Sequence, residues 1–500
     1  MNKKLERKHS IDQIRMVDFG APAAERDLNK GLKEYFLYTG AFNRLVNNQK
    51  TVILGNRGAG KSALIKMLAE DYKKKGAIVV ELTPEDYSYD LLKSSVLVEK
   101  DEMWAKQSGY TAAWKYLLFV LAMKQYSVEF KTVLKSNAKG IYNYLRDNFK
   151  TEHLDKIDIF LSYLKRINGI KIGAYEAGIK IKELQRLYKL EEVNNLLPEL
   201  IEIAKRKQII LLIDELDKGW DSSEDAKAFV AGLFQASVAI NDLSPNIRIV
   251  ISLRKELYDD IPSLYDDFQK YYDLFEILEW NEESLFDLIV KRIKYSVPDL
   301  KNMPKIQAWN EIFSDKIDKE PSFQYIVDRS LYRPREIIQF CTEAKERCVE
   351  LRKGRIDINS VVTAEAKYSK ARAKDLAAEH RFQYPGLIDV FEAFRGSKCC
   401  MSRTHLEHLC QKMINGEISV GSKTLWLKTQ SEDYLINILF QVGFLQAKSI
   451  SYIESKRIDG FWGHHQISLP NLGNVQMFMI HPLFWLHLGI SGPLIEINDN

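Results

Sequence analysis

Apolar positions along this chain follow two rhythms, and the places where one gives way to the other outline its architecture. Short continuous apolar runs end "TVIL" (Thr51–Leu54), fill "AIVVEL" (Ala77–Leu82) and "QIILLI" (Gln208–Ile213), and recur in "IRIVISLR" (Ile247–Arg254). Runs of this length, bounded by turn residues, predict strands buried on both faces. A weaker run, "YDLFEIL" (Tyr272–Leu278), predicts a fifth. Between them, apolar residues three and four apart predict helices over about Ser62–Lys75 and Asp225–Ile240. Strands that alternate with helices in this way predict a parallel α/β sheet.

The rest of the chain keeps helical spacing. Val17–Val46 reads as a loop followed by an amphipathic helix, and 87–199 as a mostly helical insertion in the sheet domain. Within that insertion, I-K-I alternation around glycines in Gly169–Leu184 predicts a hairpin. Residues 281–382 read as a helical lid. From 383 to 500 helices mix with β-like runs, "GFLQAKSISYI" and "VQMFMIHPLF", as in a winged-helix-like domain. The expected domains are therefore 1–280, 281–382 and 383–500.

Charge and cysteine usage exclude some classes. The chain has 72 Lys and Arg against 68 Asp and Glu, so net charge gives no sign of nucleic-acid binding. Five cysteines in 500 residues are too few for a disulfide framework and fit a reducing cytoplasm. The first residues lack the apolar stretch of a secretory signal. The longest apolar block, "YLLFVLAM" (Tyr116–Met123), is far short of the roughly 20 residues that span a bilayer. A soluble, cytoplasmic protein without membrane contact is expected.

The chemistry begins where the first apolar run ends. Gly55, Asn56, Arg57, Gly58, Ala59, Gly60, Lys61 and Ser62 satisfy G-x-x-x-x-G-K-[ST] at every position, between a predicted strand and a predicted helix that continues through Ala63. Glycines there let backbone N–H groups turn toward phosphate oxygens, and the helix start adds its positive end. Lys61 would neutralise phosphate charge, and the Ser62 hydroxyl would ligate Mg²⁺. In "LLIDEL", Asp214 ends a buried strand, where a carboxylate holds Mg²⁺ through water. Glu215 follows, placed to activate a water against the terminal phosphate.

Other signals narrow the reading. No N-K-x-D guanine reader and no L-S-G-G-Q stretch follows the phosphate loop, so ATP is the expected nucleotide. Ser252 and Arg254 close the next strand, and Arg254, a bidentate donor, is the preferred sensor of the terminal phosphate. Arg333 and Arg335 flank Pro334 at the start of a lid helix, and either could report closure onto the nucleotide. Asp217 and Asp221 either shape the water site or cap the following helix. In "CCMSRTHLEHLC" (Cys399–Cys410), the spacing matches no common zinc pattern, while Leu406, Leu409, Cys410 and Met413 form a helical apolar stripe. Between Pro385 and Ile490 nine Lys/Arg face eight Asp/Glu, too balanced for a strong phosphate-tracking surface. The more basic stretch is Lys367–Arg381, which leaves DNA as one partner to test.

Together, "FGAPAAERD", "YFLYTG", "ILGNRGAGKSAL", "LLIDELDKGWD", "ISLRKELYD", "RPREIIQF" and "HPLF" resemble a group of bacterial P-loop ATPases with AAA+/STAND-like cores related to origin-recognition ATPases. The resemblance implies an ASCE-type parallel sheet with ATP and Mg²⁺ as ligands. It implies phosphate contacts from Gly60, Lys61 and Ser62, catalysis at Asp214 and Glu215, and sensing at Arg254. It also implies DNA transactions or defence against phage, with homo-oligomerisation or a partner effector from a neighbouring gene as output. The expected function is a slow ATPase switch. The alternatives are an origin-recognition-like DNA-binding loader, or an effector enzyme whose active site lies in the insertion.

Overall fold

The computed structural model describes residues 11–83, 103–149, 190–217, 220–261, 271–453, 456–464 and 472–491. The chain divides into two compact units, Tyr38–Glu279 and Met1–Leu37 with Trp280–Asn500.

In the first unit, strands β1 (Val52–Gly55), β2 (Ile78–Leu82), β3 (Ile209–Ile213), β4 (Ile247–Arg254) and β5 (Phe275–Ile277) form one sheet in the order β2-β3-β4-β1-β5. Every pairing is parallel. Parallel strands need crossovers, which here bury both sheet faces, so β3 is apolar and buried at all five positions. The helices of this unit include α1 (Lys61–Lys74), α2 (Met103–Asn137), α3 (Lys139–Asn148), α4 (Leu197–Arg206), α5 (Glu224–Asn241) and α6 (Lys255–Asp259). Ser223 caps α5 by accepting the Ala226 N–H at 3.2 Å, which fixes where the chain leaves the turn after β3.

The described part of the predicted insertion is packed into this unit. Trp114 of α2 donates from its ring nitrogen to the Phe229 carbonyl of α5 at 3.1 Å, and its ring lies 4.8 Å from that of Phe229. Tyr116–Met123 are buried in the same core as the strands, so the apolar block that is too short for a membrane serves as a core helix. Among the described residues no helix is long and apolar enough to cross a membrane. The hairpin expected at 169–184 lies outside the described residues.

The second unit contains α7 (Glu282–Ser296), α8 (Pro334–Glu350), α9 (Ile358–Glu379), α10 (Arg403–Ile414) and α11 (Glu432–Gln441). Asn281 and Ser284 form a reciprocal capping box at the start of α7. A two-residue hairpin, β6 (Lys316–Ile317) with β7 (Glu320–Pro321), interrupts the expected all-helical stretch. Strands β8 (Cys400–Ser402), β9 (Leu445–Ile453), β10 (Lys456–Trp462) and β11 (Met477–Ile480) make an antiparallel sheet ordered β10-β9-β11-β8. The stripe Leu406, Cys410 and Met413 on α10 is buried, with Leu409 packed against the same core.

Residues 1–37, expected to open the sheet domain, cluster instead with 280–500. The cause is a buried polar knot. Arg292 of α7 pairs with Asp27 at 2.9 Å and donates to the Phe19 carbonyl at 2.7 Å, while Tyr35 and the Ala21 N–H donate to the same carboxylate. Ile14, Val17 and Phe19 bury their side chains in the same core. Gly20, with φ of +81°, sits so close that a Cβ there would lie 2.1 Å from the Arg292 guanidinium.

Candidate functional site

The C-terminal edge of the parallel sheet gathers the predicted chemistry of the first unit. Gly55 ends β1, and the loop Asn56, Arg57, Gly58, Ala59 and Gly60 leads to α1 at Lys61. Gly58 and Gly60 have φ of +82° and +98°, left-handed values that L side chains resist. Gly55 is close-packed, since a Cβ there would meet Ala59 Cβ at 3.1 Å. The Leu64 N–H donates to the Gly60 carbonyl at 3.0 Å and so closes the first turn. The N–H groups of Lys61, Ser62 and Ala63 in that turn have no intrahelical acceptor, as at any helix start, and α1 is long enough to carry a dipole.

Lys61 lies folded into this loop. Its ammonium donates to the Gly55 carbonyl at 2.7 Å and the Asn56 carbonyl at 3.0 Å. Burial pushes its pKa down to about 8. Glu256 is the strongest of the nearby anions that oppose this, and Arg254 adds to it. Desolvation thus outweighs the surrounding carboxylates, and an incoming polyanion would meet a cation short of counter-charge.

The other strands bring their residues to the same edge by register. Ile53 pairs with Ser252 and Gly55 with Arg254 across β1 and β4, while Ile213 pairs with Ile251 across β3 and β4. Asp214 follows Ile213 and is buried. Because β4 separates β1 from β3, the loop and the acidic pair Asp214–Glu215 flank the end of β4. Glu215 has φ of +57°. For a residue with a Cβ this backbone costs on the order of 1–2 kcal/mol, and such outliers gather at functional sites.

The loop, the helix start and the buried lysine fit a nucleoside triphosphate. The hydroxyl of Ser62 and the carboxylate of Asp214 are hard oxygen donors that suit Mg²⁺. One further observation supports a polar ligand here. The Ser252 hydroxyl is 2% exposed and has no hydrogen-bond partner, and the buried Oε2 of Glu256 also has none. Orphans of this kind are uncommon in a native fold and mark places where a group from outside can be satisfied.

Arg254, the preferred sensor in the sequence, has its guanidinium ion-paired with Asp217. Asp221 accepts the Ser223 N–H at 3.1 Å and so shapes the turn before α5. In the second unit, Arg333 donates to both carboxylate oxygens of Glu379 at 3.0 and 2.9 Å and lies 3.6 Å from Glu336. Arg335 donates from Nε to the Pro22 carbonyl at 3.2 Å.

The sequence pointed to Ser252 beside Arg254 at the end of this strand, with Arg254 preferred. It gives no signal for Glu256, because an acid in the first turn of a helix is ordinary.

The geometry is that of a P-loop NTPase domain with a five-stranded parallel sheet, and residues 47–225 match the KAP family P-loop domain. Residues 283–377 match the FunZ-associated C-terminal helical domain. The chain is 24% identical over 506 residues to the putative transposon gamma-delta 80.3 kDa protein of Escherichia coli strain K12, over 96% of this chain and 69% of that protein. Among solved structures, it is similar to Aeropyrum pernix ORC2 in its ADPNP-ADP complexes, at TM-score 0.38 and 9% identity over 94% of each chain. It is also similar to Cdc6p from Pyrobaculum aerophilum, at TM-score 0.31 and 14% identity, over 97% of this chain and 93% of that one.

Proposed function

We propose that this chain is an ATP-binding and ATP-hydrolysing switch of the AAA+/STAND type. Its nucleotide state would control self-association or contact with a partner in DNA maintenance or genome defence. The observation that carries the reading is the convergence, by strand register, of the Lys61 loop, Asp214, Glu215 and Ser252 on one sheet edge. The strand inserted between β1 and β3 supports the ASCE-type assignment.

The residues divide the work. Loop N–H groups and Lys61 hold the phosphates, and Ser62 with Asp214 would hold Mg²⁺, which supplies charge neutralisation on the phosphate oxygens when bound. Glu215 accepts the proton of the attacking water, and Ser252 and Arg254 face the terminal phosphate.

For the output, protein contact is favoured over duplex DNA. In a helix–helix–hairpin arrangement such as α10, α11 and β9–β10, α11 is the natural groove reader. Its sequence EDYLINILFQ holds two acids and no base. On α9, Lys367 pairs with Glu343 and Arg372 with Asp375, which withdraws two cations from the basic stretch. A duplex reader needs the opposite balance. The likeness to a transposon-encoded protein supports a setting beside DNA.

The test is to weigh the purified full chain with ADP and with a non-hydrolysable ATP analogue, and to assay phosphate release by wild type and Glu215→Gln. A change of particle mass with the analogue, and hydrolysis lost in the variant with binding kept, are the expected results. Failure of folded wild type to take up any nucleoside triphosphate at millimolar Mg²⁺ sinks the reading.

A further inference from the structure

The pairing of Arg254 with Asp217 places a carboxylate on the cation that the proposed function assigns to the terminal phosphate. Arg254 closes β4 beside Gly55, and Asp217 lies three residues beyond Asp214, on the turn that carries Glu215. Both side chains are largely covered, at 23% and 18% exposure, so solvent screens the pair less than it would at the surface. A carboxylate and a phosphate oxygen ask the same thing of a guanidinium, a charge-assisted N–H bond in its plane. They are therefore competitors for Arg254.

The competition is selective among nucleotides. The loop N–H groups and Lys61 serve phosphates that ADP and ATP share; Asp217 acts on Lys61 only through its charge, more weakly than Glu256 does, and makes its ion pair with Arg254. Only a ligand with a terminal phosphate has to draw Arg254 away from its partner.

We propose that Asp217 is a specificity-determining residue, an internal competitor for Arg254 that lowers the preference of the site for ATP over ADP. The inference rests on the ATPase reading above and adds a role for a residue outside the phosphate loop and the metal ligands. It also has a mechanical consequence. Exchange of Asp217 for phosphate releases the turn in which Glu215 is held with left-handed backbone, so the sensor and the catalytic turn respond to the same event. A switch built this way gives up some affinity for ATP, and its ADP state is less disfavoured after turnover.

The experiment is calorimetry on the full chain at saturating Mg²⁺, with ADP and a non-hydrolysable ATP analogue titrated separately. For Asp217→Asn the analogue is expected to bind about tenfold tighter, the scale of one charge-assisted bond, with ADP within about twofold of wild type. Asp217→Ser replaces this variant if the amide does not fold. Glu256→Gln, which removes a negative charge near Lys61, should tighten both ligands and leave their ratio unchanged. In an Arg254→Met background, Asp217→Asn should no longer alter the ratio. If wild type binds the analogue but Asp217→Asn leaves the ratio unchanged, or still shifts it without Arg254, the competitor role is overturned and the ATPase reading stands. If folded wild type binds neither ligand, both fall together.

Discussion

Buried polar clusters in the two units treat charge in opposite ways. In the unit Met1–Leu37 with Trp280–Asn500, the polar knots are answered from within. Asp27 accepts from Arg292, Tyr35 and the Ala21 N–H, and Glu365 accepts from Tyr325 at 2.6 Å and Arg329 at 3.0 Å. Orphaned buried polar atoms occur in both units, the Arg292 Nε and the Tyr368 hydroxyl among them in this one. At the sheet edge of the unit Tyr38–Glu279, Lys61 is held by carbonyls of its own loop, Ser252 and one Glu256 oxygen have no partner, and Glu215 has an unfavourable backbone. Closed networks specify a fold, and open ones wait for a ligand.

The comparison can be broken by experiment, and the largest effect lies at the open edge. Glu215→Gln should lower the hydrolysis rate about 10²–10⁴-fold, the usual worth of a general base. Its unfolding free energy should stay within about 0.5 kcal/mol of wild type in urea titration. Asp27→Ala is the mirror case. Loss of the carboxylate leaves the Arg292 charge buried, and about 3–5 kcal/mol of stability should go. Triphosphate affinity, measured where the variant is still folded, should not change. A loss of hydrolysis per folded molecule in Asp27→Ala as large as that in Glu215→Gln would erase the distinction.

Titration sharpens it. His481 is fully buried, and desolvation, helped by Arg329 and His464, pushes its pKa down to about 3. The unfolded chain takes up this proton near pH 6.5 and the folded chain does not, so stability falls as the pH drops below that value. The loss should reach roughly 2 kcal/mol by pH 5 and shrink in His481→Gln. Lys61 acts at the other end of the scale. With a pKa near 8 in the free protein, it must take up a proton to hold phosphate at higher pH. Affinity should be flat below pH 8 and fall about tenfold per unit above it, with proton uptake visible as a buffer-dependent binding enthalpy.

The smallest effect tests strain. Glu215→Gly removes the Cβ that disfavours a left-handed backbone and should raise stability by up to about 1 kcal/mol while abolishing hydrolysis. A stability loss would mean that the Glu215 side chain holds the turn together.

What the chain determined by itself was local. A strand expected over 247–254 is found over those residues, and the helix expected from Ser62 begins at Lys61. The phosphate loop was legible because its strand, glycines, lysine and helix are contiguous, and adjacent residues set one another's backbone and burial. Tertiary structure alone decided which strand lies between β1 and β3, that Arg254 spends its charge on Asp217, and that residues 1–37 join the unit of Arg292. Each of these depends on groups that the fold brings together from far apart in the chain, 265 positions in the case of Asp27 and Arg292. Pairings of that kind are chosen by competition among all the charges and surfaces of the folded chain, which no window of sequence contains.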